Sequence, residues 1–384
     1  IVFGDWSSDV CSSDLVDYNN AILLNPDISF AYFKRGIAYY EIRQIQNAFE
    51  DFSKAIEINP QFSFAYYRRG LAYFMVREYD KAIEDLDKCI EINPSYALAY
   101  QYRANSFFEK KEYEKAIQDY TLAIELEPDN EKVFISRGVT YGNLMNLKAS
   151  LRDYSSAIAI NPTNIIAYNF RGLVNSKLKN FNEAVKDFES VIKINPDSSD
   201  AYNNMGIAYY ALKDYEKAIE CYDKSISINP SSALVFFNRG NSNYNLKRYL
   251  DAIVDYDKSI SLDNNFASSY FGRGNSNFNL GQYKDALKDF TRAIAVNPKL
   301  IQAYIGRGNV FMKMKYYKKA LEDFTLAIEI KPDFALAYLN RGMAFRAESK
   351  IEDAATDFNE FLKLYNHVDA TVTQVKSWLK KVGY

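Results

Sequence analysis

The sequence predicts an all-α chain, a solenoid of ten 34-residue helix-turn-helix repeats, and three columns of residues predict it. All nine prolines, Pro26, Pro60, Pro94, Pro128, Pro162, Pro196, Pro230, Pro298 and Pro332, fall on one 34-residue lattice whose vacant internal node holds Asn264. A second column carries Gly36, Gly70, Gly138, Gly172, Gly206, Gly240, Gly274, Gly308 and Gly342, with Ala104 as the exception, and an aromatic stands four residues earlier in every copy, from Tyr32 to Tyr338. A third runs from Ala48 to Ala354, interrupted by Ser150, and is followed four residues later by an aromatic or leucine such as Phe52, Leu86 or Tyr120. A spacing of four puts each pair on one helix face, and a fixed long period marks a stacked array rather than two or three globular domains.

Each element follows from these columns. The small residues let two antiparallel helices approach closely, and the aromatics fill the space between repeats, so a unit buries its apolar face only when stacked. The second helix of most repeats ends at Asn-Pro, with Glu127-Pro128, Asp263-Asn264 and Lys331-Pro332 departing, because the residue before proline is pushed out of the helical region and proline brings no backbone donor. The polar residue after proline, Asp27, Ser95, Asp129, Thr163, Asp197, Ser231, Asn265 or Asp333, is expected to cap the next helix, with Gln61 and Lys299 departing. Repeats are expected to begin at Ser29, Ser63, Ala97, Glu131, Ile165, Ser199, Ala233, Ala267, Ile301 and Ala335, so that residues 29–368 hold the ten units.

The flanks read differently. Asp5 to Leu15, DWSSDVCSSDL, matches codon for codon a stretch that resembles a sequencing adapter, so residues 1–15, Trp6 and Cys11 included, are expected to be a non-native leader. Residues 16–28 are expected to be the surviving second helix of an earlier unit in a longer array whose true N-terminus is missing. Residues 369–384 are expected to form a capping helix: Val368, Val372, Val375, Leu379 and Val382 make an apolar stripe opposite Lys376, Lys380 and Lys381.

The aromatic, Gly, aromatic, Ala, aromatic, Ala, Pro order over 34 residues resembles the tetratricopeptide repeat family, and the resemblance covers residues 16–368. It implies a right-handed superhelix whose first helices line a concave groove that holds other polypeptides. Net charge is −2, from 47 basic and 49 acidic residues, which supplies no broad positive field for nucleic acid or anionic membrane. Cys11, Cys89, Cys221 and the single His367 offer neither a disulfide framework nor a zinc site, so no cofactor and a reducing compartment are expected; with the native N-terminus expected to be missing, localisation is left unknown and a cytoplasmic setting is only the default.

Arg35, Arg69, Arg103, Arg137, Arg171, Arg239, Arg273, Arg307 and Arg341 precede the glycine column, and an aspartate follows sixteen residues after each, as in Asp51, Asp85 and Asp119. The sixth repeat loses both, to Met205 and Cys221, as a partly buried ion pair between the helices of one repeat predicts.

Positions between the packing columns are the candidate binding residues. The N-terminal half offers Phe30, Phe33, Phe64, Tyr67, Phe74 and Phe108, an aromatic inner face. Repeats seven to nine place Asn241, Asn275 and Asn309 in one column, beside Phe237, Tyr244, Phe271 and Phe278. An amide is both donor and acceptor, so such a ladder can hold an extended peptide by its backbone while the aromatics take its side chains. Coding bias toward Asn, Lys, Ile, Tyr and Phe is the competing explanation, and Asn175, Asn243 and Asn277, in a column that elsewhere holds Tyr39, Tyr73 or Tyr209, are read as its products. Some family members grip a carboxylate tail through a set of Lys, Asn and Arg; Lys132 and Asn105 match in spacing, but Gln101 and Ser136 depart. No catalytic constellation survives assignment of the columns, the glycine pairs Gly272 with Gly274 and Gly306 with Gly308 being read as helix packing. Partners are thus expected to be proteins or peptides. A targeting region of a larger enzyme, or a structural protein that self-associates, stand as alternatives.

Overall fold

In a computed structural model, which describes residues 12–384, all regular structure among the described residues is α-helical. The chain divides into two compact units, Ile1–Ser190 and Val191–Tyr384. The first holds α1 (Ser12–Leu24), α2 (Ser29–Glu41), α3 (Ile45–Ile58), α4 (Ser63–Met75), α5 (Tyr79–Ile92), α6 (Ala97–Glu109), α7 (Tyr113–Leu126), α8 (Glu131–Asn143), α9 (Leu147–Ile160) and α10 (Ile165–Lys177), and α11 (Phe181–Ile194) spans the division. The second holds α12 (Ser199–Ala211), α13 (Tyr215–Ile228), α14 (Ala233–Asn245), α15 (Tyr249–Leu262), α16 (Ala267–Asn279), α17 (Tyr283–Val296), α18 (Ile301–Lys313), α19 (Tyr317–Ile330), α20 (Ala335–Ala347), α21 (Ile351–Leu364) and α22 (Ala370–Val382). The leader reading falls on residues 1–11, outside the described residues, and on Ser12 to Leu15, which open α1.

The turn inside each repeat needs one residue in the left-handed region. Arg43, Arg77, Lys111, Met145, Lys179, Lys213, Lys247, Lys315 and Ser349 take it at φ between 58° and 65°, and Gly281 at 75°. That conformation strains any residue with a Cβ, yet it closes the first helix: the Arg43 N–H reaches the Tyr40 carbonyl and the Gln44 N–H the Tyr39 carbonyl.

The junction between repeats corrects the capping expectation. The residue after proline does not cap; the N-cap lies one residue on, at Ile28, Phe62, Tyr96, Asn130, Asn164, Ser198, Ser232, Phe266, Leu300 and Phe334. Of these, Asn164 and Ser198 accept from the helix, at Ala167 and Ala201. The cause is the asparagine before proline: its side chain takes the N–H two residues on, as Asn25 does from Asp27 at 3.0 Å and Asn59 from Gln61 at 3.1 Å. That tight turn occupies the post-proline residue, and the apolar residue that follows packs inward, Phe62 and Tyr96 each against a core cluster.

Packing follows the columns. A Cβ on Gly36 would lie 2.7 Å from the Phe52 ring. Tyr256 is held from two sides, since a Cβ on Gly240 would meet it at 2.9 Å and one on Gly272, in the next repeat, at 2.5 Å. At the C-terminal end Val372, Val375 and Leu379 are buried with Leu339, Phe358 and Phe361. Val368, expected to open that stripe, is 92% exposed, because Asp369 caps α22 by accepting the Val372 N–H at 3.0 Å and the chain before it is not helical.

All nine Arg/Asp pairs form, with Nη2 to carboxylate distances of 2.6 to 2.8 Å where that atom makes the bond, as in Arg69 to Asp85 and Arg171 to Asp187. Each guanidinium grips its aspartate through Nε and Nη2, the geometry that suits a planar fork. A further bond crosses to the preceding repeat: Nη1 donates to Asn19 from Arg35, to Ser53 from Arg69, to Asp87 from Arg103 and to Asp223 from Arg239.

Candidate functional site

Asn241, Asn275 and Asn309 occupy the same place on α14, α16 and α18, first helices of consecutive repeats, and α16 touches both of the others. All three are half-buried. They differ in what they already hold. The Tyr256 hydroxyl donates to Asn241 Oδ1 at 2.8 Å, as Tyr120 does to Asn105 at 2.7 Å. In the next two repeats phenylalanines, Phe290 and Phe324, stand in the tyrosine column, so no hydroxyl reaches the amide. Among the described residues nothing hydrogen-bonds the Asn275 or Asn309 side chain, while Asn241 keeps only its NH2 group uncommitted.

The aromatics flanking them are walls as much as surfaces. Phe237 packs on Phe266 at 4.9 Å, Phe271 on Phe290 at 5.8 Å, Tyr244 on Tyr249 at 5.5 Å and Phe278 on Tyr283 at 5.7 Å, each half-buried. In the N-terminal unit the expected inner face splits. Phe30 and Phe64 are 56% and 38% exposed, and Phe74 is half-buried between Tyr79 and Tyr102. Phe33 and Tyr67, expected on the groove-lining inner face, are core residues at 8% and 5% exposure. The residue after proline's neighbour explains both: Phe62 closes over Phe33 at 4.7 Å, and Tyr96 closes over Tyr67 at 4.9 Å. Burial accordingly raises the Tyr67 phenol above its ordinary range.

Asn175, Asn243 and Asn277 have a structural place. All three are buried, and each Nδ2 donates to the aspartate of its own repeat: Asp187 at 3.0 Å, Asp255 at 3.0 Å and Asp289 at 2.9 Å. They are third partners of the ion pairs, in the column where the other repeats carry tyrosine or another residue. Burial raises the Asp289 carboxyl above its ordinary value, against the opposing pull of Arg273 and Asn277.

Elsewhere the chemistry is sparse. A cavity of about 660 Å³ opens beside Leu98, Gln101 and Tyr102, with Glu127, Asp129, Glu131 and Lys132 on its rim. Three carboxylates against one lysine repel a carboxylate tail rather than grip it. Cys89 is buried, and burial pushes its thiol up to about 12, far from a reactive thiolate. Among the described residues no group of three or more His, Cys, Asp or Glu side chains is arranged to hold a metal ion, and no helix is long and apolar enough to cross a membrane.

The sequence profile of the tetratricopeptide repeat matches residues 29–62, 63–96, 97–130, 199–232, 267–300 and 301–334, more than half of the chain, and a second profile for the same repeat matches 176–213. The chain belongs to the tetratricopeptide repeat family. Its helices resemble those of solved tetratricopeptide structures. The C-terminal part of a tetratricopeptide repeat-containing protein from Cytophaga hutchinsonii is 19% identical, with a TM-score of 0.55 over 62% of this chain and 98% of that one. A tetratricopeptide repeat protein from Parabacteroides merdae is also 19% identical, with a TM-score of 0.52 over 65% and 98%. YrrB, described as a tetratricopeptide protein with an unusual peptide-binding site, is 28% identical over 48% of this chain and 95% of its own, with a TM-score of 0.44. Among curated proteins no relative matches the chain.

Proposed function

We propose that this tetratricopeptide protein is an interaction scaffold that binds extended polypeptide segments on the first-helix face of α14, α16 and α18. The observation that carries the reading is the pair of unpartnered, half-buried amides at Asn275 and Asn309, recurring in one register on touching helices. Among the described residues no buried side-chain nitrogen or oxygen lacks a partner, so these amides reach solvent, and an amide left open there at successive equal intervals suits a ligand that is itself repetitive in hydrogen bonding, the peptide main chain. Asn241 joins them through its NH2 group, while Phe237, Tyr244, Phe271 and Phe278 supply apolar edges; Phe30, Phe64 and Phe74 offer a comparable apolar surface in the N-terminal unit.

A displayed library of random ten-residue peptides, selected on the whole protein, tests this. The best binder is expected near micromolar affinity, about −8 kcal/mol, because a few net hydrogen bonds of roughly 1 kcal/mol each must offset the ordering of the peptide. The Asn275→Ala/Asn309→Ala variant should weaken that binder by about tenfold. Unchanged affinity in a folded double variant rules the ladder out as the binding element.

A further inference from the structure

A second line of polar groups runs beside the asparagines on the same helices. Asn245, the last residue of α14, donates from Nδ2 to the Asn241 carbonyl at 2.8 Å and to the Tyr210 hydroxyl of the preceding repeat at 3.0 Å. One repeat on, Asn279 does the same, to the Asn275 carbonyl at 2.8 Å and the Tyr244 hydroxyl at 3.0 Å. A backbone carbonyl accepts only from the NH2 side of an amide, so these bonds set the orientation of both asparagines and leave Oδ1 as a directed acceptor. Each tyrosine oxygen accepts from that nitrogen, so its own proton points elsewhere. Among the described residues no acceptor takes it, and no donor reaches Oδ1 of Asn245 or Asn279. The rings are braced edge-on by Tyr215 at 5.3 Å and Tyr249 at 5.5 Å, and both asparagines are exposed.

Each pair therefore presents one fixed O–H donor beside one fixed C=O acceptor, the complement of a single extended peptide residue, which carries one C=O and one N–H. We infer that Asn245 with Tyr210, and Asn279 with Tyr244, are rungs that read the main chain of an extended, uncharged polypeptide segment. This rests on the peptide-binding reading above and narrows its ligand. A helical ligand has both groups engaged internally, and a proline at a rung lacks the N–H. Leu234, Phe237, Ser268, Phe271 and Phe278, beside the rungs on α14 and α16, carry no charge, and the charges in these columns lie to either side, Asp200 on α12 and Lys313 on α18, so a ligand carboxylate or ammonium held between them would be desolvated without a partner. The line stops after two rungs, because Phe278 and Lys313 replace tyrosine and asparagine in the next repeat.

The test uses a fluorescein-labelled, end-capped decapeptide of alternating Thr and Val, read by fluorescence polarisation on the whole protein. Tyr210→Phe/Tyr244→Phe keeps both rings and removes only the hydroxyls, and circular dichroism verifies that the fold is retained. Loss of two hydrogen bonds should weaken binding by about tenfold or more. A peptide with Glu in place of Thr should bind at least about tenfold more weakly to the wild type. If Asn275→Ala/Asn309→Ala weakens the Thr-Val peptide and the tyrosine variant does not, the rungs are overturned and the ladder stands. If neither variant weakens it, or the wild type does not bind it, both fall. Equal affinity for the Glu peptide overturns the selection against charge.

Discussion

Removing the charge of Arg103 alone should damage the array far more than removing the charges of Arg103 and Asp119 together. Arg103 Nε and Nη2 each hold Asp119 at 2.7 Å, and Asp119 is 4% exposed. Burial already raises the Asp119 carboxyl, with Arg103 pulling the other way and Asp87 adding a like charge. Arg103→Ala leaves that carboxylate buried without its two charge-assisted bonds, a loss of roughly 3–5 kcal/mol. The Arg103→Met/Asp119→Cys variant installs the residues found at Met205 and Cys221, strands no charge, and should lose about 1 kcal/mol, leaving it about 2–4 kcal/mol more stable than Arg103→Ala. Urea denaturation followed by circular dichroism measures both, and hydrogen exchange at α6 and α7 localises the change, since repeat arrays unfold in segments. The pH dependence has a definite sign. Arg103→Ala raises the folded carboxyl further above its unfolded value, so the folded state binds a proton the unfolded state does not; stability is retained below the unfolded value and lost as pH rises through the folded one. The deficit of Arg103→Ala against wild type should therefore shrink as pH falls from neutral toward the carboxyl's unfolded value. Equal losses in the single and double variants, or a deficit indifferent to pH, would refute the reasoning.

Three further outcomes follow from the packing. Gly36→Ala, whose Cβ would press to 2.7 Å of Phe52, should destabilise by about 1–3 kcal/mol, whereas Gly142→Ala, with nothing nearer than Ser150 at 3.8 Å, should stabilise by up to about 1 kcal/mol; thermal melts separate them. Asn277→Ala removes the third partner of Asp289 and should cost about 1–3 kcal/mol in urea denaturation, while Asn275→Ala, two residues away, should stay within about 0.5 kcal/mol of wild type. Lys111→Gly at φ 63° relieves left-handed strain and should raise stability by about 0.5–1 kcal/mol; a loss of that size would show that the lysine side chain outweighs the backbone.

What could be read from residues alone follows the physics of each column. Proline and glycine report backbone and steric demands that nothing nearby can override, so the 34-residue register and the all-helical class were legible. The Arg/Asp pairs were legible because Met205 and Cys221 fail together. The bond from Nη1 to the preceding repeat was not, since its acceptors differ in kind, Asn19, Ser53, Asp87 and Thr121 among them. Asn275 and Asn277 are the same residue type two positions apart, yet one points to open surface and the other to Asp289; only the helix orientation separates them. Phe33 and Tyr67 were misplaced because the residue that covers each lies at the next junction, 29 residues away in sequence. The hydroxyls of Tyr210 and Tyr244 left no trace that distinguishes them from packing aromatics until their asparagine donors were located in space.

Every deeply buried carboxylate in the stack finds its guanidinium sixteen positions earlier, inside its own copy, and only the solvent-reaching end of that guanidinium leans on a neighbour. Cutting out or duplicating one whole copy therefore orphans no interior charge and changes only the exposed acceptor of the outer bond. An array wired in this way can lengthen or shorten by complete units with its buried ion pairs intact, so the number of copies is not fixed by the electrostatics of its interior.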